Sequence, residues 1–529
     1  MIAPAPLYAH VGARMRDIIR FRASEDPRHP CLTCAGSDGE VRLDYGEFHQ
    51  RVRRLANGLS RLGLTPGERC LIHLGNSLGF MLAFWALQEL EAIAVPTILQ
   101  YASDELEYVV DHCGAWGIVT DVTQLNKVRA ATASRRIELV VEGAGTPEIP
   151  GIDDLISSSD DAALPGNRNF EEALMMYTSG TTSRPKGVVL GHSGTVFTGQ
   201  AYANHFRIQP ADRVLTCMPL FHINGMCIQM MPALISGASY VVTPKFSVSL
   251  FWQWMREHEI TVAHLVSGPI RLLMAEPPSA LDRRHQVRLM SFGLPLETEE
   301  IEGFEQRFGF PLCMLWGLTE TAGAGTSMPP YFGRRPLYQG IGPAMPGFDV
   351  QAIDDAGRAL AAGEVGELGV RGPGIMLRYH GDEAATREVL RNGWLLTGDL
   401  GYLDPDGYGL FVERKKDMLK PSGENVAASE IERVISEYPG ILECGVVGVP
   451  DPNRHEAVVA FVVAEPGTEV EIDKVTAWCR QRLAAFKVPT RIELRTELPK
   501  TSIGKIQKGE LRRLAMTPPS PRPGRVEAV

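Results

Sequence analysis

From about residue 40 to residue 320, apolar runs of strand length alternate with amphipathic stretches of helical period. Cys70–Leu74, Trp116–Thr120, Glu138–Glu142, Arg213–Met218, Ser239–Thr243, Thr261–Val266 and Arg288–Phe292 have the strand pattern. Tyr45–Leu62 and Ser249–Glu259 have the helical one. Alternation of this kind predicts α/β layers around largely parallel sheets. The most apolar stretch, Phe80–Pro96, is interrupted by Gln88, Glu89 and Glu91, so it is expected to be a buried helix and not a membrane span. From Gly342 to Phe411 the pattern changes to short strands with Gly, Pro and Asp turns, which predicts a β-rich subdomain. The charged cluster Glu413-Arg-Lys-Lys-Asp417 follows, and beyond it a smaller pattern begins. That pattern reads as helix Ala428–Ser436, strands Cys444–Val449 and Ala457–Ala464, and helix Lys474–Ala485.

The expected fold is therefore α/β. A large N-terminal domain of α/β layered sheets spans 1–412, with a β-rich subdomain at about 340–412. Residues 413–417 form a hinge, and 418–516 a small α+β C-terminal domain. The Pro-rich tail 517–529 is expected to be disordered. At 529 residues the chain exceeds what one core organises, which agrees with this division. Its net charge of −10, with no long basic run, argues against nucleic acid as a partner. The first residues lack an apolar core of signal-peptide length. Nine cysteines, an odd number scattered through mostly apolar surroundings, suit reduced thiols and a cytoplasmic location. Cys31-Leu-Thr-Cys34 has no second ligand pair nearby, so no metal or redox role is assigned to it.

Chemistry concentrates first in Leu174–His192, where a Thr/Ser/Gly-rich turn with one Arg and one Lys separates two apolar strands. Small residues let backbone N–H groups approach phosphate oxygens, hydroxyls add donors, and Lys186 adds charge. The turn lacks the Lys-Ser/Thr ending of a Walker A loop, and a strand follows it, not a helix. A polar hairpin tip is the plain alternative. Four more motifs follow in order: Trp316-Gly-Leu-Thr-Glu320; Trp394-Leu-Leu-Thr-Gly-Asp399; Glu413–Asp417 with Ser422-Gly-Glu-Asn-Val426 and Glu430-Ile-Glu432; and Pro499-Lys-Thr-Ser-Ile-Gly-Lys505. Together the five resemble the adenylate-forming superfamily over about residues 12–515. Within it, the 178–189 loop, Pro219-Leu-Phe-His222 and Pro277-Pro-Ser-Ala280 look most like the carnitine/crotonobetaine-type CoA ligases.

The resemblance implies an acyl-CoA ligase that uses ATP, Mg²⁺ and CoA. A carboxylate attacks the α-phosphorus to give acyl-AMP and pyrophosphate, and the CoA thiol then displaces AMP. A carboxylate is already ionised at neutral pH, so the first step needs alignment and positive charge, not a general base. By motif position, Thr178, Ser179, Gly180, Thr181, Thr182 and Lys186 would cradle the β- and γ-phosphates. Trp316, with Gly317 beside it, would stack on adenine opposite Gly293, Leu294 and Pro295. Thr319 would touch the α-phosphate and Glu320 would bind Mg²⁺. Asp399 would take the ribose hydroxyls, and Arg414 the ribose or phosphate. Lys505 would bridge the attacking carboxylate and the α-phosphate. Rotation of a mobile C-terminal domain about Lys416 would then withdraw it and present Ser422, Gly423 and Glu424 to CoA. His222 would gate the passage between acid and CoA. Glu413 stands where Gly is usual, Lys508 where Arg is frequent, and Ser183 where Gly is frequent.

His222 stands where amino-acid activators carry an Asp, which disfavours an α-amino acid. Acyl-pocket walls are expected at Asn224, Gly225, Ser267, Gly268, Gly317, Ala322, Gly323, Ala324 and Gly325. Such small walls predict a medium or bulky, mainly apolar acid of natural-product type, unless they only pack helix on strand. The partners expected are that acid, ATP and CoA, with no membrane insertion. A homodimer and a carrier protein as acceptor stay open, as does a member that runs mainly one half-reaction. A degenerate ligand-binding member is disfavoured because Lys186, Glu320, Asp399 and Lys505 are all present.

Overall fold

A computed structural model describes residues 12–36, 39–162, 164, 170–178, 184–330, 340–421, 424, 426–451, 455–501 and 504–516. Two mixed sheets build the large domain. The first has seven strands in the order Arg378–Tyr379, Lys186–Gly191, Glu172–Thr178, Ile93–Pro96, Arg69–His73, Gly117–Thr120, Glu138–Val141. The second has eight, in the order Gly325–Ser327, Leu312–Gly317, Leu289–Gly293, Val262–Val266, Arg213–Thr216, Ser239–Val242, Pro30–Gly36, Gly39–Asp44. In the eight-stranded sheet the neighbours are parallel except at its two edges, and in the seven-stranded sheet they are parallel from Glu172–Thr178 to the Glu138–Val141 edge and antiparallel at the other edge.

Alternate side chains of the seven-stranded sheet enter different cores, as the two-residue repeat of a strand requires. Leu71, Val95, Ile118, Met175 and Val189 pack with Leu106, Val109 and Val110 of helix Ser103–Cys113. Their neighbours Cys70, Ile72, Ala94, Leu174, Met176 and Val188 join the main core, which is shared with the second sheet. Helix Tyr45–Arg61 starts at an Asp44 cap whose carboxylate accepts from Glu47 N at 2.7 Å, while Glu47 returns a bond to Asp44 N.

Phe80–Pro96 is not one helix. A helix spans Leu78–Leu90, Glu91 turns the chain at φ 60°, and Ile93–Pro96 enters the seven-stranded sheet. The polar residues that interrupt the apolar run are all engaged. Gln88 donates to Ala173 O at 3.1 Å, Glu89 pairs with Arg20, and Glu91 lies 2.9 Å from Arg14. Among the described residues no helix is long and apolar enough to cross a membrane.

The β-rich stretch forms a third, antiparallel sheet ordered Gly340–Pro343, Tyr408–Arg414, Trp394–Leu403, Gly366–Arg371, Asp349–Ile353. It is not self-contained, because Arg378–Tyr379 leaves it to pair with Lys186–Gly191 of the first sheet. Residues 419–515 carry cores of their own. There Ile441–Asp451 runs antiparallel to His455–Ala464, which runs parallel to Arg491–Arg495. Helices Ala428–Ser436 and Ile472–Arg482 cover one face of this small sheet, and Lys508–Met516 covers the other.

Candidate active site

Ligands of open α/β sheets gather at the carboxyl ends of the strands. Thr178, Gly293 and Gly317 each end a strand here. Thr178 pairs with Lys186 at the base of the hydroxyl-rich turn. Ser179, Gly180, Thr181, Thr182 and Ser183 lie outside the described residues, as do Ser422 and Gly423.

On the phosphate side, Thr319–Thr321 form a single tight turn, with Leu318 N donating to Thr321 Oγ1 at 3.0 Å. The turn holds Glu320, whose Oε1 accepts from the Tyr379 hydroxyl at 2.8 Å. Lys186 Nζ lies over the same Tyr379 ring, 4.9 Å from its centroid. Sequence reasoning did not name Tyr379. Nothing in Leu377-Arg-Tyr-His380 marks it, and only the pairing of Arg378–Tyr379 with Lys186–Gly191 brings it here.

On the nucleoside side, Trp316 is 8% exposed and its Nε1 donates to Asp399 Oδ2 at 2.9 Å. A Cβ at Gly325 would come within 2.8 Å of the indole ring, so only glycine fits beside it. The tryptophan expected to be a stacking surface is therefore also the anchor of the buried Asp399. Arg414 Nε approaches the other oxygen, Asp399 Oδ1, at 3.3 Å, and the two residues are cross-strand partners. Each carboxylate oxygen keeps a second lone pair for a ligand. Leu294 adopts φ 69° after Gly293, a left-handed conformation that is rare for a branched residue.

Lys505 reaches this group from the small domain. Its loop is closed by Thr501 N donating to Lys505 O at 2.8 Å and Lys505 N donating to Thr501 Oγ1 at 3.1 Å. Burial, then the neighbouring Arg414 and Lys416, lower its pKa to about 7, against the opposing pull of Asp399 and Asp417. Burial also lowers the pKa of Lys416, whose carbonyl accepts from Arg512 at 3.1 Å. Arg512 also pairs with Asp417 at 2.9 Å.

Glu413 and Lys508, the two departures from the family pattern in this region, lie together. The Glu413 carboxylate accepts from Ser429 N at 2.8 Å and from Arg414 N at 2.9 Å, and Lys508 Nζ stands 3.9 Å away. Lys508 also pairs with Glu432 at 3.0 Å. Glu424 is exposed, in the segment between the bridged residues Leu419 and Val426.

The residues expected to wall the acyl pocket are closely packed at several positions. Gly317 is small because a Cβ there would meet Gly323 O at 2.0 Å, and Gly225 and Gly323 are similarly closed in by Pro219–Leu220 and by Ile228. Ala322 and Ala324 are fully buried, and Gly325 lies against Trp316. At these positions close backbone and side-chain neighbours account for the small residue. Gly268 and Gly293 do face open space. Asn224–Met230 is a π-helical segment, a form frequent at functional sites. His222 precedes it, with its ring 4.8 Å from that of Phe221. Burial lowers its pKa to about 4, so its imidazole is neutral at physiological pH.

A family model for AMP-binding enzymes matches residues 19–380, and one for the AMP-binding enzyme C-terminal domain matches 430–505. Crotonobetaine/carnitine–CoA ligase of Escherichia coli O8 (strain IAI1) is 34% identical over 494 residues, 91% of this chain and 95% of the relative. ATP-bound MatB from Rhodopseudomonas palustris superposes with a TM-score of 0.86 at 27% identity, over 94% of this chain and 98% of that one. The o-succinylbenzoate CoA synthetase of Bacillus subtilis, in complex with its acyl-adenylate intermediate, gives 0.83 at 26% identity, over 94% and 97%. The chain belongs to the AMP-binding enzyme family, as an ATP-dependent, AMP-forming acyl-CoA synthetase of the adenylate-forming superfamily.

Proposed function

We propose that this chain joins a mainly apolar carboxylic acid to CoA, and that Lys505 and the Trp316–Asp399–Arg414 group act together on ATP in the first step. The observation that carries this is the arrival of Lys505, from the small domain, beside Asp399 and Arg414 of the large domain. ATP lies with its ribose on Asp399, its adenine between Trp316 and the Gly293-Leu294-Pro295 turn, and its phosphates towards Lys186 and Thr319. The acid's carboxylate oxygen forms a bond to the α-phosphorus, and the bond from that phosphorus to pyrophosphate breaks. Lys505 balances the charge that gathers on the α-phosphate oxygens. The CoA sulfur then attacks the acyl carbonyl and AMP leaves. Closure by the small domain keeps water from the adenylate.

Among the described residues no cluster of three or more His, Cys, Asp or Glu side chains could hold a metal ion. A single carboxylate at the phosphate end suits Mg²⁺, which binds through one or two carboxylates plus substrate phosphates. Glu320 would hold it, and the ion would neutralise phosphate charge. Between the two steps the small domain rotates at Lys416 and the Ser422-Gly423-Glu424 segment meets CoA. The open space at Gly268 and Gly293, the neutral His222 and the uncharged Phe221, Ile223, Asn224 and Ser267 suit an apolar acyl chain. The nine buried thiols suit the cytoplasm.

The test is acid-dependent release of pyrophosphate and AMP from Mg-ATP over aliphatic, aromatic, polycyclic and betaine acids, with and without CoA. Release that rises with CoA, together with an acyl-CoA product mass, is the expected result. Release that ignores CoA but rises with an acyl carrier protein would replace CoA as the acceptor. No release with any acid would overturn the assignment of the first step.

A further inference from the structure

Tyr379 links two motifs that lie far apart in the chain. Its backbone is fixed on several sides: Tyr379 pairs with Val188, His380 N donates to Gly187 O at 2.7 Å, and Tyr379 N donates to the Thr386 hydroxyl at 3.0 Å. Its side chain is 7% exposed and has two polar neighbours of opposite charge. The hydroxyl donates to Glu320 Oε1 at 2.8 Å, and the ring face receives Lys186 Nζ at 4.9 Å from its centroid.

A lysine and a glutamate at one phosphate site have a competing arrangement, which is to pair with each other. Each would then be quenched before ATP arrives. An aromatic ring between them removes that option. Its face attracts the cation and its edge hydroxyl binds the anion, so both charges are held and kept apart. We propose that Tyr379 is a positioning residue that separates Lys186 from Glu320 and aims the carboxylate at the metal face of the nucleotide. This rests on the assignment of those two residues to the phosphate end of ATP.

The test is calorimetric binding of ATP to the full chain, once in EDTA and once with Mg²⁺. Tyr379→Phe keeps the ring and removes the hydroxyl. It is expected to leave metal-free ATP affinity within about twofold while cutting the strengthening by Mg²⁺ about tenfold, the size of one charge-assisted hydrogen bond. Tyr379→Leu removes both contacts and frees the pair to collapse. It is expected to weaken metal-free binding about tenfold, and Glu320→Gln added to it is expected to restore part of that loss. A Tyr379→Phe variant that loses metal-free and metal-loaded affinity equally would overturn the proposal, as would a double variant that shows no rescue. Thermal melting of each variant separates misfolding from misplacement. Because binding of ATP is read without any acid, the comparison holds even where no acid in the panel is turned over.

Discussion

The two walls of the site are built differently. On the large-domain wall each charged group named above is already tied to a neighbour: Asp399 to Trp316 and Arg414, Glu320 to Tyr379, and Lys186 to the Tyr379 ring. On the small-domain wall Lys505 stands among charges of mixed sign with a pKa lowered to about 7. The first wall is preorganised for a polyanion. The second is a cation whose hold on its proton is loosened by burial and by neighbouring cations. In the proposed reaction, binding is shared by the fixed wall, whereas the group that would act on the reacting atoms sits on the part that would withdraw before the thiol enters.

The largest effect that would sharpen this contrast is on Lys505. Lys505→Ala is expected to slow adenylation about a thousandfold, roughly 4 kcal/mol of transition-state stabilisation. Thioester formation from supplied acyl-AMP and CoA should change by less than about threefold. Equal loss in both half-reactions would break the contrast. Next comes the docking of the small domain. Lys508→Met leaves Glu413 and Glu432 without their cation and is expected to cost about 3 kcal/mol. A lower melting temperature and faster proteolysis near residues 415–417 would report it. On the rigid wall, Trp316→Phe removes one hydrogen bond to a buried carboxylate and should weaken ATP binding about tenfold by calorimetry.

The smallest effect concerns pH. A cation with a pKa near 7 in the free protein regains its proton when ATP binds, so ATP binds less tightly as pH rises through that value. The expected loss is roughly threefold between pH 6.5 and pH 7.5, and Lys505→Met should abolish it. A loss that persists in Lys505→Met would assign the proton to another group.

Much of the scaffold is legible in the residue pattern because strands buried on both faces leave apolar runs and strand ends leave glycines. Cys70–Leu74 is displaced by one residue from the observed Arg69–His73, and Ala428–Ser436 matches its helix. Phe80–Pro96 misleads because helix and strand are equally apolar when both are buried, so periodicity carries no boundary there. The motif order places Trp316, Asp399, Arg414 and Lys505, and the structure brings these four together. Contacts between distant segments are different. The Trp316–Asp399 bond, the role of Tyr379 and the meeting of Glu413 with Lys508 all depend on topology, which no local pattern encodes. Gly317 and Gly323 show the same limit, since glycine marks both an open wall and a crowded backbone, and here it marks crowding.

All nine cysteines are buried, and burial raises the pKa of Cys31, Cys34, Cys70, Cys113, Cys217, Cys227, Cys444 and Cys479. At neutral pH the native chain is therefore nearly silent to thiol reagents. A cysteine introduced on the exposed surface of each domain would be labelled almost alone, with no native cysteine removed. Distances between two such labels, followed during turnover, would report any swing of the small domain as an optical signal.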